Sequence, residues 1–301
     1  MKTCISVWLL LVGLSLSAQS DLFDLLEEDI SDQKSGKEYV FATFKGTKVI
    51  NNQSNEIPAK GVLQFMILHR FGSFNNDFFH NFFGLDNAQV RLSLDYSPLS
   101  WLNIGVGRAS LFKMYDLWYK APVVRQIRNG WPVGVTLYGS ANYIGSRWPN
   151  DGLERLATDR LIYVNQILFS HKAGENLSIL IAPAVVHYNL RQSNQQPNTI
   201  ATLTVGGRYK LSRRISVNAE YSPMINRNLS WDGTQTQPFN NALSLGFDIE
   251  TGGHVFQLHL TNSRGLSDPI WMTQTTGNWL DGEIYFGFNI SRVFTLKPLK
   301  I

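Results

Sequence analysis

Cysteine is nearly absent from this sequence. Cys4 is the only one, and it lies just ahead of an apolar run from Ile5 to Leu16. No disulfide framework and no Cys/His zinc cluster can be built from it. Long hydrophobic runs are equally scarce. Beyond the N-terminus none reaches the ~18 apolar residues that a membrane-crossing helix needs. Charge of one sign is also lacking, with 27 Lys+Arg against 23 Asp+Glu and no basic cluster, so there is no nucleic-acid footprint. Gly-rich phosphate-binding motifs are missing as well, and no cofactor is expected.

The N-terminus reads as a targeting segment. Lys2 is followed by the Ile5–Leu16 run and by small residues at Ser15, Ser17 and Ala18. This is a secretory signal peptide spanning 1–18, with cleavage expected after Ala18. Losing Lys2 takes the formal charge from +4 to +3, and the mature chain then has no thiol, as suits an oxidising envelope. Residues 19–60 read as a periplasmic N-terminal segment. Leu22, Phe23, Leu25 and Leu26 alternate with Asp24, Glu27, Glu28 and Asp29, the pattern of a short amphipathic helix capped by Ser20 or Asp21, or else of a tail. Residues 38–50 read as extended, either a periplasmic strand or a lead into the strand-rich remainder of the chain.

From residue 61 onward the chain has a strand rhythm. About twelve strand-length segments follow one another, with short and long connections alternating. Residues 85–96 place Val90, Leu92, Leu94 and Tyr96 on one face and Gln89, Arg91, Ser93 and Asp95 on the other. Residues 215–221 oppose Ile215, Val217, Ala219 and Tyr221 to Ser216, Asn218 and Glu220. The segments at 101–107, 133–143, 201–211, 243–250 and 284–294 alternate in the same way, as half-apolar strands should. Those at 61–71, 115–125, 160–171, 177–190 and 254–263 alternate less cleanly.

Alternation does not say which face points inward. A soluble sandwich or small barrel would bury the apolar face, whereas a membrane barrel turns it outward. Three features favour the membrane. About twelve strands in one closed sheet enclose more space than the eight-strand case that side chains fill. Trp101, Trp131, Tyr143, Trp148, Tyr209, Tyr221 and Phe294 lie at or near strand ends, where interfacial girdles belong. Turns at 97–100, 172–176, 212–214 and 251–253 are tight, and loops at 72–84, 145–159, 225–239 and 264–281 are long, with the short connection at 113–114 breaking the rule. The expected fold is therefore an all-β, antiparallel, transmembrane up-and-down β-barrel over 61–296. Both ends lie on the periplasmic side, and residues 297–301 form a periplasmic tail.

Several motifs carry a resemblance. They are FDIETGGHVFQLHLTN at Phe247–Asn262, HRFG at His69–Gly72, FFGLDNA at Phe82–Ala88, GVGR at Gly105–Arg108 and GFNISRVFTL at Gly287–Leu296. Across about residues 40–296 the chain resembles an uncharacterised family of Bacteroidota outer-membrane β-barrel proteins, a domain of unknown function. The resemblance implies an outer-membrane barrel and supplies no catalytic residue.

Candidate chemistry is sparse. His254 and His259 are five residues apart in one strand, so they face opposite ways, roughly 17 Å apart, and cannot share a metal. His69 is the one candidate base for a lipase-like serine pair, and the neighbouring strands offer it no serine on its face. The polar face is the better candidate. If it lines a lumen, Arg91, Asp95, Asp116, Lys120, Arg208, Lys210, Glu220, Asp248, Glu250 and His259 point inward. Such a mixed-charge lumen would pass small hydrophilic solutes; if the charges pair and close it, the barrel is an anchor or a receptor for a partner or ligand. The expected partners are outer-membrane lipid, small hydrophilic solutes and a periplasmic protein. Residues 74–83 (FNNDFFHNFF) hold five phenylalanines, expected to fold in as a plug, or else to present an outward patch. Trp231, Trp271 and Trp279 sit in polar loops, where they are sugar-stacking candidates or packing residues.

Overall fold

The period-2 pattern produces twelve strands, and the computed structural model closes them into one barrel. It describes residues 38–74, 79–80, 82–148, 154–190, 197–226, 239–251 and 254–296. The expected signal peptide, the expected Leu22–Asp29 helix, Trp231 and the 297–301 tail lie outside the described residues. The strands are β1 (Val62–Ser73), β2 (Gln89–Leu99), β3 (Leu102–Ala109), β4 (Tyr115–Val124), β5 (Gly134–Tyr143), β6 (Leu161–Lys172), β7 (Leu177–Tyr188), β8 (Thr199–Lys210), β9 (Ile215–Ser222), β10 (Ala242–Thr251), β11 (His254–Thr261) and β12 (Tyr285–Thr295). Every neighbour is antiparallel and consecutive, and β1 pairs with β12 to close the ring. Closure leaves no sheet edge exposed to lipid, where an unpaired N–H would cost several kcal/mol. Residues 85–88 begin no strand. Residues 85–87 belong to a 3-10 turn at Phe82–Asn87, Ala88 links it to the sheet, and β2 starts at Gln89.

The barrel is inside-out relative to a soluble one. Leu94, Val106, Leu117, Ile181, Val205 and Phe247 are exposed on its outer wall, while Ser93, Asp95, Asn103, Thr204, Asn218 and Glu220 are buried inside. Only acyl chains can cover such an exterior. Outward-facing Leu177 and His187 bracket β7. The ten steps between them at ~3.3 Å each, tilted by ~45°, span about 23 Å, close to an outer-membrane hydrocarbon layer.

The inner wall is shaped for large side chains. Trp118 on β4 points inward and lies over Gly105 on β3, its cross-strand partner. A Cβ at Gly105 would collide with the indole. Gly61 turns the chain from the lumen into β1 at φ +80°, a conformation that disfavours any other residue.

Residues 38–60 do not form a separate periplasmic segment. They enter the barrel at the end where β1 begins, run into the lumen and return to Gly61. Tyr39 bridges Ile127 in the β4–β5 connection at that same mouth, and the tip at Ile50–Asn52 is buried deep inside. From the opposite end the β11–β12 connection folds inward, carrying the short helix α1 (Asp268–Thr273), which is wholly buried.

Gly105→Ala should cost about 1–3 kcal/mol through overpacking against Trp118. The readout is a lower urea midpoint for the folded band in unheated SDS electrophoresis. Gly207→Ala is the control, because a Cβ there meets only Ser178 O at 3.5 Å.

Candidate functional site: the occupied lumen

The site is the interface between the inner wall and the 38–60 hairpin. An irregular segment inside a barrel has backbone groups that neither sheet nor water satisfies, so the wall must satisfy them. Glu220 on β9 takes the amides at the tip. Its carboxylate accepts N–H bonds from Ile50 (3.2 Å), Asn51 (2.8 Å) and Asn52 (3.0 Å). Wall donors take the carbonyls. Lys120 Nζ donates to Thr47 O (2.8 Å) and Glu56 O (3.2 Å), and Arg208 Nη1 donates to Ala42 O and Thr43 O (3.2 Å each). Gln257 Nε2 reaches Val49 O at 2.9 Å, and Asn289 Nδ2 reaches Ile50 O at 2.9 Å. The hairpin also bonds to itself, with Val49 N donating to Asn52 O and Ser54 N to Thr47 O. Its apolar side chains Phe44 and Val49 pack against Trp118, Tyr138, Leu168 and Leu180 of the wall.

The second inserted element meets the first. Lys48 Nζ lies 3.5 Å from Asp268 Oδ1 at the start of α1. Asp268 also accepts from Tyr138 Oη and Trp271 Nε1. Burial pulls the Lys48 ammonium below its ordinary value, and the Asp268 charge opposes that pull. Burial alone would push the Asp268 carboxyl up, but Lys48 and Arg91 bring it below the usual carboxylate range. Burial raises the Glu56 carboxyl, against the N–H groups of Phe44 and Thr43. Arg70 on β1 binds both insertions. Nη1 donates to Ser263 O (2.6 Å) and Gly265 O (2.8 Å) of the outer connection, and Nη2 donates to Asn51 Oδ1 (2.7 Å) at the hairpin tip.

The ten polar-face residues named from the sequence all sit on inward positions, and most meet protein there. Arg91 and Asp116 form a bidentate pair across β2 and β4, with Nη2 to Oδ1 at 2.6 Å. Asp95 borders a small residual cavity with Lys48, Arg91, Asn103, Trp118 and Lys120. Asp248 accepts from Gln257, and His259 Nε2 lies 3.1 Å from Arg70 Nη2. Lys210 and Glu250 stand half-buried at the mouth where the hairpin enters, and Lys45 of the hairpin contacts Glu250 there. Glu220, Lys120 and Arg208 therefore do not line an open lumen; they anchor the segment that fills it.

Arg70, Lys48, Asp268, Gln257 and Asn289 were missed from sequence. Arg70 carried a signal, since it alternates with outward His69 in β1. His69 itself packs on Phe71 and Phe288, and its cross-strand partners are Val90 and Phe288, with no serine among them. Of the loop's phenylalanines, the described Phe74, Phe79 and Phe82 are exposed (39%, 82% and 60%) and do not plug the barrel; Phe78 and the Phe83 side chain lie outside the described residues. Trp271 is buried in α1 and Trp279 bonds to Leu243 O, so both pack rather than face outward to sugars.

Residues 44–294 match a family defined as a membrane-bound β-barrel domain (DUF5777). The chain belongs to this family. As a member of it, the protein is a β-barrel of the bacterial outer membrane, which agrees with its apolar exterior. No curated protein matches the chain. Among solved structures it is similar to the NanC porin in a rhombohedral crystal form, at 8% identity and TM-score 0.47 over 76% of this chain and 98% of that one. It is also similar to the KdgM porin, at 8% identity and TM-score 0.45 over 77% and 99%. A Rhodopseudomonas blastica porin mutant matches at 12% identity and TM-score 0.34 over 70% and 56%. With these TM-scores below 0.5, the architecture of this family member rests on its own strand pairing.

Removing a bond to a charged group costs about 1.5–3 kcal/mol, or roughly 10–100-fold in local opening. Arg70→Gln should accelerate amide exchange by that factor both at 48–54 and at 263–273. Arg208→Gln should accelerate it only near 42–45. Equal effects of both variants on both regions would contradict separate anchoring.

Proposed function

We propose that the protein is an outer-membrane passage for small hydrophilic solutes and that the 38–60 hairpin holds it shut. The observation carrying this reading is the polar wall, whose charged groups hold the hairpin by hydrogen bonds rather than by a continuous apolar core. Polar anchors of this kind exchange for water with modest net cost, so undocking is a reversible two-state step. Both ends of the hairpin lie at the periplasmic mouth, so it can withdraw without threading through the barrel. Withdrawal exposes Arg91, Asp116, Lys120, Arg208 and Glu220 to the lumen, a mixed-charge constriction with weak ion preference. The runner-up is a non-conducting barrel that serves as an anchor or receptor. It is favoured by the Lys48–Asp268 contact, where the insertions from the two ends meet.

Planar-bilayer recording separates the two. Asn51 Nδ2 donates to Ser244 Oγ at 2.8 Å, so Asn51→Cys with Ser244→Cys can tie the hairpin to β10. The oxidised double variant should be silent, and reduction should restore brief openings. Glu220→Gln weakens three amide bonds and should raise open probability at least about tenfold. Silence of Glu220→Gln and of the reduced pair, in protein shown to be inserted, would leave the non-conducting barrel.

A further inference from the structure

On the lipid-facing wall, at the mouth where β1 begins, we infer a binding site for the phosphate of a glycerophospholipid, formed by Arg292 on β12 and His254 on β11. The site starts from strand register. Asn289 and Ser291 are buried inside the barrel, so Arg292 faces outward with Ile290 and Phe294. Gln257 and His259 fix β11 in the same way and leave His254 outward with Phe256 and Leu258. His254 and Arg292 are direct cross-strand partners, which puts their Cβ atoms about 5 Å apart. Thr251 of β10 pairs with His254, and Phe65 of β1 pairs with Arg292. One outward row across four strands therefore reads Thr251, His254, Arg292, Phe65.

An arginine is costly on a wall covered by acyl chains, and the cost falls toward the membrane surface. Arg292 stands close to that surface. It precedes the end of β12 at Thr295 by one short stretch of strand, about 7 Å in depth at ~3.3 Å per residue and ~45° tilt. Its guanidinium lies 5.1 Å from the ring centre of Phe294, so the side chain leans toward the strand end. No carboxylate meets it there among the described residues. The outward positions of β1, β10, β11 and β12 hold no Asp or Glu. Asp248 and Glu250 of β10 are engaged elsewhere, by Gln257 and by Lys45. Gly252 and Gly253, which join β10 to β11, have no side chain to offer. The group beside Arg292 at this depth is a lipid headgroup. A guanidinium fork matches two phosphate oxygens, and the adjacent imidazole has an N–H to donate in either tautomer. Phe65, Ile290 and Phe294 flank the pair and meet the acyl chains of the same lipid. The β2–β3, β6–β7, β8–β9 and β10–β11 connections at this mouth are short, as on the periplasmic side of an outer-membrane barrel, where the leaflet is phospholipid.

The test is native mass spectrometry of the folded protein in detergent, titrated with phosphatidylglycerol, with diacylglycerol of the same acyl chains and with lipid A. Phosphatidylglycerol should bind about tenfold or more tighter than diacylglycerol, as a charge-assisted contact requires. Arg292→Gln should reduce that preference to about twofold or less. His254→Phe, which keeps an aromatic ring on the wall, should weaken it about threefold. Both side chains lie on the outer wall, so the barrel should stay folded, as the unheated SDS band will report. Arg213→Gln, on the β8–β9 turn at the same mouth, removes the same charge and should leave the preference intact. Equal binding of phosphatidylglycerol and diacylglycerol would overturn the site. So would full retention of the preference in Arg292→Gln or His254→Phe, or an equal loss in Arg213→Gln. Tighter binding of lipid A than of phosphatidylglycerol, lost in Arg292→Gln, would overturn the assignment to a glycerophospholipid. Displacement by millimolar inorganic phosphate would overturn it as well, since the site would then belong to a free anion.

Discussion

Everything inside this barrel depends on satisfying the backbone of a segment that has no sheet of its own. Residues 42–56 carry amides and carbonyls into a space that excludes bulk water. Leaving even one unpaired there costs on the order of 1–3 kcal/mol. The wall solves this with a division of labour. One carboxylate, Glu220, collects the amides of the tip, while cationic and amide side chains from six other strands collect carbonyls or the tip's side-chain oxygens. The charge mixture along the inner face is therefore set by what the hairpin's backbone presents. A lumen designed only for solutes would have no need to match donors and acceptors to individual peptide groups.

The same constraint explains which strands read cleanly from sequence. β2, β9 and β10 face polar parts of the filling, so their inner positions are mostly polar or small (Arg91, Ser93 and Asp95; Ser216, Asn218 and Glu220; Ser244, Gly246 and Asp248) and their alternation is sharp. β6 and β7 face α1 and the hairpin's apolar side. Their inner positions include Ile162, Val164, Leu168, Leu180 and Val186, all buried, while their outer faces still meet lipid. Both faces are then apolar and the period-2 signal fades. β1 behaves alike, with Met66 and Leu68 packed on Leu266. Blurred alternation in a membrane barrel is thus itself a signal of internal filling, and it locates the filling's apolar side. Strand number, strand direction and the inward set from Arg91 to His259 were legible because the outer wall alone imposes them. The hairpin was not legible, because its anchors are long-range and each is a single polar residue.

Arg70 shows the limit most directly. Its neighbours His69 and Phe71 mark the outer face, so its inward direction followed from alternation. Its importance did not, because it comes from partners at Asn51, Ser263 and Gly265, 19 to 195 residues away. A guanidinium with donors on two sides holds the backbone of the outer connection and the Asn51 side chain of the hairpin at once, in a fixed planar geometry that Lys and Gln lack.

This double attachment has a mechanical consequence. The hairpin enters from the mouth where β1 begins and the α1 connection from the opposite one, and they share Arg70 and the Lys48–Asp268 contact. Moving the hairpin leaves Asp268 without its cation and Arg70 without one acceptor. Moving α1 leaves Lys48 buried without its carboxylate. Each displacement strips a compensating charge from the other insertion, and a buried charge without its partner is strongly disfavoured. The two insertions, which enter from opposite mouths of the barrel, are therefore coupled through Arg70 and the Lys48–Asp268 contact.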